Sequence, residues 1–131
     1  MKKVLILNGH QYYDVVAKGD LTNHYIDCAN KFFEENGFEV KQTYIEKGYT
    51  IQEEVEKFKW ADYILFQYPV YWMSLPWIAK KYIDETFTQG VHYASDGRSR
   101  SDASKLYGSG GLMQGKKYML SLTYNCPASA F

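Results

Sequence analysis

The stretch Tyr68-Pro-Val-Tyr-Trp-Met-Ser-Leu-Pro-Trp77 puts two tyrosines, two tryptophans, a methionine and two prolines into ten residues. A loop facing solvent is ordinarily polar, so a segment this aromatic calls for something flat and apolar over it. An isoalloxazine ring answers that description, because aromatic and aliphatic side chains shield its faces while backbone donors reach its polar edge. A hydrophobic contact between subunits answers it as well, and the two readings are compatible where a site lies at an interface. A second cluster, Thr123-Tyr-Asn-Cys126, joins an aromatic ring to an amide ahead of Pro127. Donors there would stabilise negative charge developing on a reduced flavin. A third segment, Gly9 to Asp20, leads into helical sequence and would bind phosphate through backbone N–H groups and the positive end of the helix. Neither G-x-x-x-x-G-K-[ST] nor G-x-G-x-x-G is present, so a plain strand-to-helix connection is the other reading. In Tyr107-Gly-Ser-Gly-Gly111, backbone able to approach a ligand closely sits beside an aromatic ring. Asp96-Gly-Arg-Ser-Arg100 adds two guanidiniums that either pair with a cofactor phosphate or lie on a solvated face.

The elements that must position these clusters alternate between strand and helix. Lys3-Val-Leu-Ile-Leu7 is a short aliphatic run of the kind buried on both faces of a parallel sheet. Leu21, Tyr25, Cys28, Ala29, Phe32 and Phe33 recur at helical spacing, which predicts one buried helix face ending at Asn36-Gly37. Phe38 to Tyr44 alternates as a more exposed strand near the sheet edge. Thr50-Ile-Gln-Glu53 has the form of a capping box, with Ile51, Val55 and Phe58 as the buried face behind it. Tyr63-Ile-Leu-Phe66 reads as another buried strand, closed by Tyr68-Pro69. A third helix from about Pro76 carries Trp77, Ile78, Tyr82, Ile83 and Phe87 on its apolar face. Gly90 to Gly115 is a long Gly-, Ser-, Asp- and Arg-rich loop, and Lys117 to Thr123 is a fourth strand. This order predicts a single α/β domain over residues 1–131 with a doubly wound parallel sheet. The loops at 9–20, 67–76 and 123–131 all follow strands, so they share the carboxyl edge where such folds hold their ligands.

Totals exclude several classes. With 15 basic and 15 acidic side chains, charge gives no pull toward nucleic acid or an anionic membrane. Cys28 and Cys126 lie far apart, which fits reduced thiols in a cytoplasm rather than a disulfide framework. His10, His24 and His92 lack ligand spacing, so no metal site is expected. The apolar run after Met1-Lys2-Lys3 is too short for a signal peptide, and no segment has the length of a membrane span. The expectation is a soluble cytoplasmic protein. The aromatic share, 18%, is the one unusual total, and it suits a planar ligand or a subunit interface.

The runs Val4-Leu-Ile-Leu-Asn-Gly9, Trp60-Ala-Asp62, Pro69-x-Tyr-Trp-Met73, Pro76-Trp77, Lys80-Lys-Tyr-Ile-Asp84, Tyr93-Ala-Ser-Asp-Gly-Arg98 and the long run from Tyr107 to Asn125 closely resemble the flavodoxin-like NAD(P)H:quinone oxidoreductase family. The resemblance implies a homodimer that binds FAD at the sheet edge, with NAD(P)H as co-substrate. By the same resemblance, hydride would pass through flavin N5 to a quinone by ping-pong kinetics, and no side chain need serve as a covalent catalyst. The family's cofactor contacts would fall on Ala17, Lys18, Gly19, Asp20, Leu21, Thr22, Asn23 and His24 at the first loop and helix start. They would continue on Pro69, Val70, Tyr71, Trp72 and Met73, on Tyr107, and on Thr123, Tyr124, Asn125 and Cys126. Ala17-Lys18 stands where the family carries Ser-Asn, and Val70 where glycine is common. Family members are longer, so the resemblance also implies a sheet lacking its last strand and helix, with an exposed flank. Two other readings are an FMN-binding electron carrier, against which the neutral overall charge speaks, and a truncated, non-catalytic interaction module.

Overall fold

The strands β1 (Lys2–Asn8), β2 (Phe38–Tyr44), β3 (Tyr63–Pro69) and β4 (Lys117–Thr123) lie in one sheet in the order β2-β1-β3-β4, and every pair is parallel. This computed structural model describes residues 1–130, so Phe131 of the third candidate loop lies outside the described residues. Between the strands run α1 (Asp20–Glu35), α2 (Ile51–Trp60) and α3 (Trp77–Phe87). Chain order steps from β1 to β2 on one side and returns to β3 on the other, so the reversal falls between β1 and β3.

Alternation along β1 feeds two cores. Val4 and Ile6 point to one face and pack with Ile26 of α1 and Leu65 of β3. Leu5 and Leu7 point to the other and join Phe58 of α2, Phe66 of β3 and Tyr82 of α3. Each such side chain, fully buried, stabilises the fold by about 1.5–3 kcal/mol. β2 sits at one edge, with Glu39, Lys41 and Gln42 exposed and Phe38 and Val40 partly buried.

Three local expectations are corrected. On α1 the buried residues are Thr22 and Ile26, with Ala29 and Phe33 packed against the core, whereas Leu21, Tyr25 and Phe32 are exposed. Two apolar stripes run side by side along this helix, and the one carrying Ile26 faces Val4 and Ile6. At the start of α2, Thr50 makes no side-chain cap bond. The residue that turns inward is Glu54, whose carboxylate accepts Thr43 Oγ1 and Tyr82 OH, each at 2.7 Å, and pairs with Lys57 Nζ at 2.7 Å. This charge-assisted cluster ties β2, α2 and α3 together. On α3, Ala79, Tyr82 and Thr86 are buried while Trp77, expected on the apolar face, is exposed. Pro76 stands just before the first turn, and Trp77 projects from the helix start to solvent.

The loop 88–116 holds itself together through a bridge between Tyr93 and Gly111 and a bond from Leu112 N to His92 O of 2.8 Å. A Cβ on Gly110 would overlap the Ser95 carbonyl, so the glycines of this loop serve its own closure. Arg98 is held by Asp96 at 2.7 Å and lies over the Tyr107 ring, placing the guanidinium within the loop rather than at the sheet edge. Lys116 Nζ donates to the Lys59 and Ala61 carbonyls, which returns the chain to the amino edge where β4 begins. Beyond β4 the flank expected to stand open does so: Tyr118, Met119, Leu120 and Leu122 are all exposed.

Candidate functional site

The three loops that follow β1, β3 and β4 meet at the carboxyl edge of the sheet. Gly9 N donates to Gln67 O at 2.9 Å, and Val70 N donates to Thr123 O at 2.7 Å, so each loop starts from a position fixed by its neighbour. Tyr13 and Ala17 exchange backbone bonds of 2.9 Å and close a small hairpin in the first loop, with Val15 in the left-handed region at its tip. Gly19 then turns the chain into α1 at φ 90°, where a Cβ would sit 3.1 Å from His10 Nδ1. In the second loop Tyr71 and Ser74 close a tight turn through bonds of 2.8 and 3.2 Å. That turn forces Trp72 and Met73 to φ 47° and 67° and leaves them 96% and 90% exposed. Left-handed backbone costs such residues about 1–2 kcal/mol each, and strain of this kind concentrates at ligand sites.

Between these loops lies a cavity of about 650 Å³, within the range of small-molecule and cofactor sites. Of the expected cofactor contacts, Ala17, Lys18, Gly19, Asp20, Leu21 and Thr22 line one wall, and Pro69, Val70 and Tyr71 a second. Thr123, Tyr124 and Asn125 also line the cavity. The fold therefore gathers three segments, the first and last of them more than a hundred positions apart. Asn23 is turned instead to Asn8, whose Nδ2 donates to its Oδ1 at 3.0 Å. His24 faces Cys28 Sγ at 3.6 Å along the helix. Trp72, Met73 and the exposed Cys126 stand outside the cavity lining, as does Tyr107, which is 78% exposed in its own loop.

Two further lining residues, Val16 and His10, lie in the Gly9–Asp20 loop but are not among the individual contacts that the resemblance implied. His10 follows the strand end Asn8-Gly9 and is 3% exposed, held by its own N–H bond to Asn8 Oδ1 at 3.0 Å. Its Nε2 lies 3.2 Å from the Tyr71 hydroxyl, and its Nδ1, without a hydrogen-bond partner, lies 4.0 Å from Glu46 Oε2. Burial pushes the imidazole below its ordinary pKa, while the Glu46 and Asp20 carboxylates pull in the opposite direction. The Tyr71 hydroxyl is pushed up by burial, with Tyr13 and Glu46 adding to the effect. The signal that could have found His10 is its place two residues past the first strand, at the edge where ligands bind.

A second concavity, about 410 Å³, runs along β4 and is lined by Phe58, Tyr82, Met113 and Tyr118 among other mostly apolar side chains. It offers no convergent set of polar groups.

A family model described as flavodoxin-like fold matches residues 2–131. The NADPH:quinone oxidoreductase MdaB of Haemophilus influenzae is 43% identical over 130 residues, which are 98% of this chain and 67% of that protein. Among solved structures, general stress protein 14 of Treponema denticola in complex with FMN superposes with a TM-score of 0.65 at 21% identity, covering 98% of this chain and 64% of that one. The NAD(P)H:quinone oxidoreductase from Methanothermobacter marburgensis gives a TM-score of 0.64 at 16% identity, covering 96% of this chain and 85% of that one. At these identities the structural likeness shows the fold alone, and the chain spans about two thirds of the length of the Haemophilus protein.

Proposed function

Because the chain belongs to the family with the flavodoxin-like fold and is a relative of a quinone oxidoreductase, we propose that its carboxyl-edge cavity holds a flavin and serves the two-electron reduction of quinones by NAD(P)H. The observation that carries this reading is the cavity itself, built from the three strand-following loops at the point where strand order reverses. Its residues fit the group. The start of α1 with Lys18 suits the phosphate end, and Val70, Tyr71 and Tyr124 supply apolar and aromatic walls for a planar ring. The bound flavin supplies the redox chemistry, and the chain's residues bind it, orient it and exclude water. FAD is the flavin we take. FMN, which the Treponema relative carries, is the alternative.

The exposed Trp72, Met73 and Tyr107 support a homodimer with the site at the subunit boundary, since aromatic residues and methionine are enriched at interfaces. An interaction module without cofactor is the second reading, favoured by the apolar flank along β4. One spectrum separates them. The purified chain is incubated with excess FAD or FMN, free ligand is removed, and the absorbance is recorded before NADPH oxidation is followed with a benzoquinone. Yellow protein near one flavin per chain, with quinone-dependent turnover, is expected. Colourless protein with both flavins overturns the reductase reading in favour of the interaction module, and yellow protein that NADPH cannot reduce leaves an electron carrier.

A further inference from the structure

We infer that the cleft between α1 and the edge strand β2 binds a small zwitterion, an α-amino acid with an apolar side chain, whose ammonium meets Asp27 and whose carboxylate meets Lys47. The inference goes beyond the quinone-reductase reading and does not depend on it, because the cleft shares no lining residue with the carboxyl-edge cavity.

The cleft has a volume of about 310 Å³, at the small end of the range for ligand sites. Its floor is hydrocarbon from Ile6 of β1 and Ile26 of α1, two core residues. Its polar rim is ordered without a ligand. Asn8, which is 4% exposed, donates from Nδ2 to Asn23 Oδ1 at 3.0 Å and joins the end of β1 to the start of α1. Further along the helix, Gln42 Nε2 of β2 donates to Asn30 Oδ1 at 2.6 Å. These bonds tie α1 to β1 at one end and to β2 at the other, which fixes the width of the cleft before anything enters it. Tyr44, at the end of β2, adds an aromatic wall, with Lys47 Nζ 4.7 Å from its ring centroid.

Two charges of opposite sign line this space, and neither is matched within the protein. Among the described residues the Asp27 carboxylate has no hydrogen-bond or ion-pair partner, and Lys47 Nζ has only the Tyr44 ring. Lys31, one turn along α1 from Asp27, is turned instead to Glu35 at 3.9 Å. A lone cation would answer Asp27 and leave Lys47 unmatched, and a lone anion would do the reverse. A zwitterion answers both across the gap, through a charge-assisted hydrogen bond at each end. The Ile6 and Ile26 floor and the Tyr44 ring favour hydrocarbon on the ligand, and the volume suits a molecule of the size of leucine.

The test uses the ¹⁵N-labelled chain without cofactor, titrated with L-leucine at neutral pH and followed by NMR. Saturable shifts are expected at the amides of Asn23, Asp27, Tyr44 and Lys47, with those of Val70 and Tyr71 in the other cavity unmoved. Isoamylamine, which lacks the carboxylate, and 4-methylvalerate, which lacks the ammonium, are expected to bind about tenfold more weakly. Asp27→Asn and Lys47→Gln should each weaken leucine binding about tenfold. Both positions are exposed, so the melting temperature of each variant should match that of the parent chain. Titration without saturation, or shifts confined to the carboxyl-edge cavity, overturns the site. A one-charge analogue that binds as tightly as leucine, or leucine affinity unchanged in either variant, overturns the zwitterion. Flavin is absent from every arm, so a failure of the reductase reading leaves these outcomes untouched.

Discussion

The two concavities of this chain make opposite use of the same sheet. The groove along β4 is apolar, borders Phe58 and Tyr82 of the core, and contains one histidine, His92, whose two ring nitrogens are buried without partners. The cavity at the carboxyl edge is larger and more open, and is walled by a helix start, a lysine, a carboxylate, three backbone turns and two tyrosines. A groove lined almost wholly by hydrocarbon tells of packing. Convergent polar groups and the strained backbone at Trp72 and Met73 tell of a site.

Substitutions sharpen the contrast. Phe58→Ala, at the floor of the groove and in ring contact with Phe87 and His92 at 5.5 and 4.8 Å, is expected to lose about 3–5 kcal/mol in urea denaturation. Tyr82→Phe leaves the buried Glu54 carboxylate one donor short, and the same measurement should show a loss of about 2 kcal/mol. In the cavity the readout changes from stability to affinity. Lys18→Ala should weaken flavin binding about tenfold by fluorescence quenching, the scale of one charge-assisted contact, with the melting temperature unmoved. Acid separates the regions more gently. His10 and His92 are both held below their ordinary pKa by burial, so below that ordinary value the unfolded chain binds more protons than the folded one and stability falls with falling pH. His92→Phe should leave a shallower acid slope in melting temperature, carried by His10. The smallest effect belongs to the exposed rim of the groove: Tyr118→Thr, at a position 76% exposed, should change stability by no more than about 0.5 kcal/mol.

The strands were legible because each is a continuous or alternating apolar run bounded by turn residues, and the helix order follows from their spacing. Placement at the carboxyl edge followed from topology, and twelve of the eighteen expected contacts line the cavity. What was not legible depends on contacts across the sheet. α1 carries two neighbouring apolar stripes, and only the position of Val4 and Ile6 decides that Ile26 is buried in preference to Leu21 or Tyr25. The Thr50–Glu53 pattern has capping-box spacing, but Thr50 stays uncapped and Glu54 is drawn inward to Thr43 and Tyr82. His10 carries no metal-ligand spacing, and its meaning lies in Tyr71 and Glu46, which reach it from 61 and 36 positions away.

The register of β4 has a consequence for how the molecule is made. Tyr63 of β3 pairs with Lys117, about fifty residues further on, and the pairing continues to Pro69 with Thr123. β4 is also synthesised last and leaves most of its side chains exposed, so it joins a sheet whose first three strands are already held by burial. A chain leaving the ribosome therefore holds β1, β2 and β3 with two walls of the cavity before the third exists. Pulse-labelled hydrogen exchange during refolding should show Leu5 and Leu65 amides protected earlier than those of Met119 and Ser121.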